Sequence, residues 1–346
     1  MGQSVASSNS SKLPALIPRI LVGASIVLII NALLFRLTPW PGAIIIRSVF
    51  EWNAAQVTKA LEAHQPKVPI TLIADQQYRN GDGDALLDVY YPQSTQGLLP
   101  VVIWTHGGAW ISGSKSDAAP YYRLIAAEGL TVIAPDYTLA PKKSYPVQIN
   151  QLNDAYAYIL KNARRFHADT SRIFFAGDSA GAQLSSQMAA LITNADYAKV
   201  LGISPNLKPS QLKGVILYCG IYQMDKLANP DPTLSWIVSW GNDVAVWAYS
   251  GVRDFSDPII NQMSPQYHVT KNFPATFMSG GNADPLTNVQ SKPLAEKLRS
   301  LGAAVDTLFF PTDHQPQLAH EYQFDLDGDD GKNALVRSLQ FLKAHI

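Results

Sequence analysis

Arg172-Ile173-Phe174-Phe175-Ala176-Gly177-Asp178-Ser179-Ala180-Gly181-Ala182-Gln183-Leu184 is the stretch that decides the fold. Arg172–Ala176 reads as a strand and Ala180–Ile192 as a helix, with a glycine on either side of the turn between them. Gly-Asp-Ser-Ala-Gly in that setting fits a nucleophile elbow. A serine hydroxyl is a weak nucleophile and must be presented, uncovered, to a base. A tight strand-turn-helix lifts Oγ above the sheet edge, and flanking glycines let the backbone crowd in.

Upstream, Val101–Thr105 reads as another strand and runs directly into His106-Gly107-Gly108-Ala109-Trp110. Acyl transfer places negative charge on the carbonyl oxygen, which fixed backbone N–H groups stabilise. Gly107 and Gly108, with Ala180 after the serine, are the expected donors. His106 is expected to hold the loop by hydrogen bonding. Downstream, Asp284 in Gly280-Gly281-Asn282-Ala283-Asp284-Pro285-Leu286 follows a late strand and is the expected acid. The order Ser, Asp, His then requires a histidine near the C-terminus, since an imidazole can take and return a proton near neutral pH. His314 and His320 both qualify by position. His320 is preferred, because Tyr322 and Phe324 can bury and fix it, and His314 stands as the alternative base.

These motifs sit in an alternating pattern. Strands are expected at Thr71–Arg79, Ala85–Tyr91, Val101–Thr105, Thr131–Ala134, Arg172–Gly177, Val215–Tyr218, Ala275–Ser279 and Val305–Phe310. Helices are expected at Gln148–Asn162, Ala180–Ile192, Val289–Leu301 and Asn333–Ala344. The pattern predicts an α/β fold with a mostly parallel sheet. The rhythm breaks between Gly220 and Asn272, where Tyr222, Trp236, Trp240, Trp247, Tyr249 and Phe255 cluster. Residues 221–272 therefore read as a cap-like insertion. A bounded apolar pocket walled by it would favour short or medium acyl chains.

With these residues in view, the chain resembles the α/β-hydrolase superfamily, and within it the hormone-sensitive-lipase-like and BD-type feruloyl-esterase-like carboxylesterases. The resemblance rests on His-Gly-Gly-Ala-Trp, Gly-Asp-Ser-Ala-Gly, Leu87-Asp88-Val89-Tyr90-Tyr91-Pro92, Leu139-Ala140-Pro141, and Tyr145-Pro146 followed by Asp154. It covers roughly Gln77 to the C-terminus. It implies a carboxylic ester hydrolase that acts on a small-molecule ester without a cofactor. Gly-Phe or a similar apolar pair usually follows the base in that group, and His320-Glu321-Tyr322 departs from this. Another acyl hydrolase, such as a formamidase or peptidase, or an inactive binding protein on the same fold, would carry similar motifs.

The N-terminus is a different material. Residues 1–12 are polar and Ser-rich, and Ile20–Phe35 is almost wholly apolar between Arg19 and Arg36. Residues 13–37 thus cover the ~20 residues that a membrane span needs and read as an anchor. A cleaved export signal and a buried helix are the rival readings. Basic residues flank the span almost evenly, so the expected orientation, with the catalytic part exported, follows only the default for a single N-terminal span. Residues 38–70 read as a juxtamembrane segment and 71–346 as the catalytic domain.

Composition removes other classes. With 27 basic and 27 acidic side chains the net charge is zero, so no field draws in nucleic acid. A single cysteine, Cys219, excludes an internal disulfide and reads as a buried thiol after the strand Val215–Tyr218. Asp325, Asp327, Asp329 and Asp330 hint at a calcium loop but miss its glycine and closing glutamate, so no metal is expected. These acids suit the start of the last helix instead.

Overall fold

The structure, a computed structural model, describes residues 16–227 and 235–346. The polar tail 1–12, the first residues of the proposed anchor and part of the proposed cap lie outside the described residues. Two long helices come first, α1 (Leu16–Leu37) and α2 (Trp40–Leu61). Strands β1 (Ile70–Gln77), β2 (Leu86–Pro92) and β3 (Leu99–Thr105) follow, then α3 (Ala119–Ala127), β4 (Thr131–Pro135), α4 (Val147–Lys161) and β5 (Ala168–Asp178). The second half runs α5 (Ser179–Thr193), α6 (Ala195–Leu201), β6 (Leu212–Tyr218), α7 (Trp236–Ser250) and α8 (Pro258–Gln262). It closes with β7 (Ala275–Gly280), α9 (Lys292–Ser300), β8 (Val305–Phe309) and α10 (Asp329–Ala344).

The eight strands form one sheet in the order β1-β2-β4-β3-β5-β6-β7-β8. β1, β2 and β4 pair antiparallel, and every pairing from β4 through β3 to β8 is parallel. Parallel strands are buried on both faces, which is why β3, β5 and β6 read as continuous apolar runs. Period-2 alternation splits those runs between two cores. Val101, Ile103, Ile173, Phe175, Val215 and Leu217 face one layer with α4 and α5. Val102, Trp104, Phe174, Ala176, Ile216 and Tyr218 face the other with α3 and α10. Each fully buried large apolar side chain contributes about 1.5–3 kcal/mol.

Helix α5 is buried along its whole length, which its small residues permit. Ser185 Oγ, inside that core, is satisfied by donating to the Ala176 carbonyl at 2.8 Å. The expected strands all form, within a few residues of their expected ends. Residues 38–70, expected from the sequence to be a juxtamembrane segment, contribute a helix to the packed structure. That helix, α2, packs on α7, and Arg47 reaches from it to donate to the carbonyls of Ile111, at 2.5 Å, and Ala140, at 3.0 Å. None of Ile20–Leu37 is buried, which removes the buried-helix reading of the N-terminus.

Candidate active site

The chemistry-bearing residues gather at the carboxyl ends of the parallel strands, where open α/β sheets bind ligands. Ser179 follows β5 and opens α5 with φ of 49°, a left-handed conformation that non-glycine residues rarely adopt. The flanking glycines make room for it. A Cβ on Gly177 would press on the backbone of Gly181 and, at 2.8 Å, on the Thr105 carbonyl; one on Gly181 would collide with the carbonyls of Thr105 and His106.

Asp284 follows β7 and His320 lies in the loop after β8. The two loops are laced together: Ala283 N–H donates to the Leu318 carbonyl at 3.0 Å, and Leu318 N–H donates to Asn282 Oδ1 at 2.9 Å. Tyr322 and Phe324 are buried and anchor the loop, the Tyr322 hydroxyl meeting Ser279 Oγ of β7 at 2.6 Å, while the His320 side chain, expected to be buried by them, stays 34% accessible. The imidazole is therefore held from both sides. Its Nε2 lies 3.0 Å from Ser179 Oγ, and its Nδ1 lies 3.1 Å from Asp284 Oδ2. Asp284 Oδ1 accepts from Leu286 N–H at 2.9 Å; Oδ2 accepts no hydrogen bond among the described residues and faces the imidazole as a close ion-pair contact. His314 is elsewhere. It pairs with Asp330 on α10 at 2.9 Å and packs on Phe310.

Burial opposes charge on the His320 ring, but the Cys219 sulfur where it is ionised and the Asp284 carboxylate beside it outweigh burial and raise its pKa above 6.5. Burial pushes the Cys219 thiol up to about 11, so it is uncharged at neutral pH and Asp284 supplies the field. Cys219, Asp284 and His320 offer ligand atoms within 4.8 Å of one another. A protonated thiol and a carboxylate already engaged by the imidazole make this a poor metal seat at neutral pH.

The loop after β3 turns with positive φ at Gly108 (97°), Ala109 (50°) and Trp110 (61°). A Cβ on Gly108 would drive into the Ser112 carbonyl. One expected oxyanion donor is engaged elsewhere. Gly107 N–H donates to Asp178 Oδ2 at 2.8 Å, so the expectation for Gly107 is corrected: its amide holds the loop to the elbow. The amides of Gly108 and Ala180 have no intramolecular acceptor among the described residues, and neither does that of Ala109, which sequence reasoning passed over. Ala180 is fully buried and offers only that amide. His106 stacks on Tyr137 with ring centroids 4.3 Å apart, and its Nδ1 lies 2.8 Å from the Gly107 carbonyl.

Two acids flank the site. Asp178 accepts from Trp104 Nε1 at 2.8 Å as well as from Gly107, and Glu321 lies close by, its Oε1 3.8 Å from His320 Nε2. Burial, then their mutual repulsion, raises the pKa of Asp178, while burial also raises that of Glu321. Glu321 is the residue that breaks the apolar pattern after the histidine, and it too was missed as part of the site.

Over these residues lies a cavity of about 570 Å³. Phe50, Ala54 and Val57 of α2 and Val238, Ala245 and Val246 of α7 wall it opposite Ser179 and His320. The aromatic insertion thus contributes a wall, and so does α2, whose apolar residues alone did not mark it as one.

A mostly parallel sheet of this order with a serine elbow after β5 defines an α/β-hydrolase fold. The chain belongs to the BD-FAE family, whose model matches residues 87–298, more than half of the chain. The match includes Ser179 and Asp284 and stops short of His320. Kynurenine formamidase of Salmo salar is 31% identical over 147 residues, covering 42% of this chain and 45% of that protein. Carboxylesterase NlhH of Mycobacterium tuberculosis is 38% identical over 114 residues, covering 32% and 35%. The chain thus spans less than half the length of these curated relatives. Esterase B of Lactobacillus rhamnosis superposes with a TM-score of 0.74 at 22% identity, covering 87% of this chain and 95% of that one.

Proposed function

We propose that the chain is a serine hydrolase of carboxylic esters, with Ser179 as nucleophile, His320 as base and Asp284 as the acid that orients it. The observation that carries this reading is the 3.0 Å approach of His320 Nε2 to Ser179 Oγ, with Asp284 3.1 Å behind Nδ1. Ser179 Oγ attacks the ester carbonyl carbon as its proton passes to Nε2. The amides of Gly108, Ala109 and Ala180 are the proposed donors to the oxyanion. Collapse expels the alcohol, which takes the proton back from Nε2 and leaves an acyl-enzyme. Water gives a proton to His320 and attacks the acyl carbon; the acid departs and Ser179 regains its hydrogen. No step needs a cofactor.

The bounded cavity supports short or medium acyl groups. Helix α1, the one described helix long and apolar enough to cross a membrane, supports an uncleaved anchor, and the default orientation of a single N-terminal span would put the catalytic part on the exported side.

A second reading, formamide hydrolysis, is favoured by the likeness to kynurenine formamidase. Measuring kcat/KM on p-nitrophenyl butyrate and on an N-formyl aryl amide separates the two, and the expected result is faster ester cleavage. Ser179→Ala should lower it about 10³-fold or more, because members of such a set act as a unit. Faster cleavage of the amide would favour the second reading. Full activity of a folded Ser179→Ala protein contradicts both, and no turnover by the wild type leaves a binding protein.

A further inference from the structure

We propose that the cap face formed by the first half of α2 and the start of α7 docks on a lipid bilayer, so that the cavity takes amphiphilic esters directly from the membrane. This rests on reading α1 as a membrane anchor.

Three observations converge. The first is the length of the link. Only Thr38 and Pro39 separate α1 from α2, and two residues reach at most ~7 Å. The polar layer beside the ~30 Å hydrocarbon core is about that thick, so the first turn of α2 must lie in it. The link is also pinned. Arg253, stacked over Trp247 of α7, donates from Nη1 to the Arg36 carbonyl at the end of α1, at 2.9 Å.

The second is the surface that this placement brings to the bilayer. Trp40, Ile44, Ile45, Val49 and Trp52 of α2 are all exposed, and Trp52 is 67% accessible. At the start of α7, Trp236 is 79% accessible, followed by Ile237 at 56%. Contiguous apolar surface of this kind marks an interaction site rather than ordinary solvent-facing residues. Tryptophan suits the headgroup level, with its apolar body and polar edge. Arg47, the one basic residue in this half of α2, turns inward to the Ile111 and Ala140 carbonyls, which leaves Glu51 as its only outward charge. The stripe ends at Trp52, and α2 continues with Asn53, Gln56 and Lys59.

The third is the place of the cavity. Phe50 and Val238 line it and are each 40% accessible, so its mouth opens beside the apolar stripe. An ester whose acyl group is short enough for the bounded cavity can leave a long apolar alcohol in the lipid. Apolar docking of the cap then feeds the site laterally, and short acyl selectivity is compatible with a lipid-phase substrate.

The test uses the full chain in phosphatidylcholine vesicles and compares wild type with Val49→Asp/Trp236→Asp, which touches no cavity-lining residue. Two butyrate esters serve as probes: p-nitrophenyl butyrate in water, and a fluorogenic butyrate whose alcohol carries a hexadecyl chain dissolved in the vesicles. Both proteins should sediment with vesicles through α1 and hydrolyse the soluble ester within about two-fold of each other, while the variant loses about ten-fold or more on the vesicle ester. Equal rates on the vesicle ester, with both proteins sedimenting, overturn the docking. A wild type that stays in the supernatant overturns the anchor reading on which it rests. Should the variant fail to fold, brominated lipids decide: they must quench wild-type emission by a component that Trp236→Phe removes. Unquenched Trp236 overturns the proposal, including the case in which a second copy covers the face.

Discussion

At Ser179 the backbone adopts φ of 49°, and the site's other demands follow from that turn. The raised hydroxyl needs a neutral imidazole within hydrogen-bond reach, and among the described histidines only His320 stands there. His320→Ala should therefore lower kcat about 10³-fold or more, as Ser179→Ala should. His314→Ala breaks a partly exposed pair with Asp330 that is worth about 1 kcal/mol or less, and should keep most of the activity. Steady-state kinetics on the two purified variants checks this; the opposite ranking in folded proteins would exchange the roles. The pH profile follows from the same contacts. A base acts only when neutral. Its raised pKa keeps His320 protonated to higher pH, so activity falls as pH drops through that raised value. The acid limb of kcat/KM should lie above the ordinary histidine value of 6.5, and a limb below it would argue against Asp284 as the controlling charge.

Between elements, the closest approach that matters is α2 against α7. Gly42 has no side chain, and a Cβ there would stand 2.9 Å from both methyl groups of Val244 and 3.2 Å from Trp240. Gly42→Val should wedge the two cavity walls apart, costing about 1–3 kcal/mol of stability and raising KM more than it lowers kcat. Thermal melts with kinetics test this, and a wild-type KM would show that the two helices do not shape the cavity. This contact also shows where sequence reading stops. The strands and the elbow were legible because period-2 burial and the spacing of glycines are local signals. Asp284 and His320 became candidates through chain order, and Tyr322 and Phe324 after His320 were the local signal that favoured it over His314. Helix α2 was not legible as a wall, because its apolar residues divide between the cavity, α7 and the exposed face, and no single periodic stripe announces any of them. The engagement of Gly107 by Asp178 was hidden for a related reason: the two residues are 71 positions apart, and only the sheet brings them together.

Across the whole molecule, one sheet carries the candidate site, α2 walls the cavity over it, and α1 is long and apolar enough to cross a membrane. The family model begins matching at residue 87, after α1 and α2. The fold admits many substrates, and its use depends on what stands over the serine. Here that cover is joined by two residues to a helix suited to a membrane. The proposed chemistry depends first on Ser179 being a reactive nucleophile. The direct measurement is fluorophosphonate labelling of the purified full-length protein, read by intact mass and peptide mapping. The expected result is a single adduct per chain on the peptide carrying Ser179, abolished in Ser179→Ala and strongly slowed in His320→Ala. An unlabelled wild type, or an adduct on another residue that persists in Ser179→Ala, would contradict it.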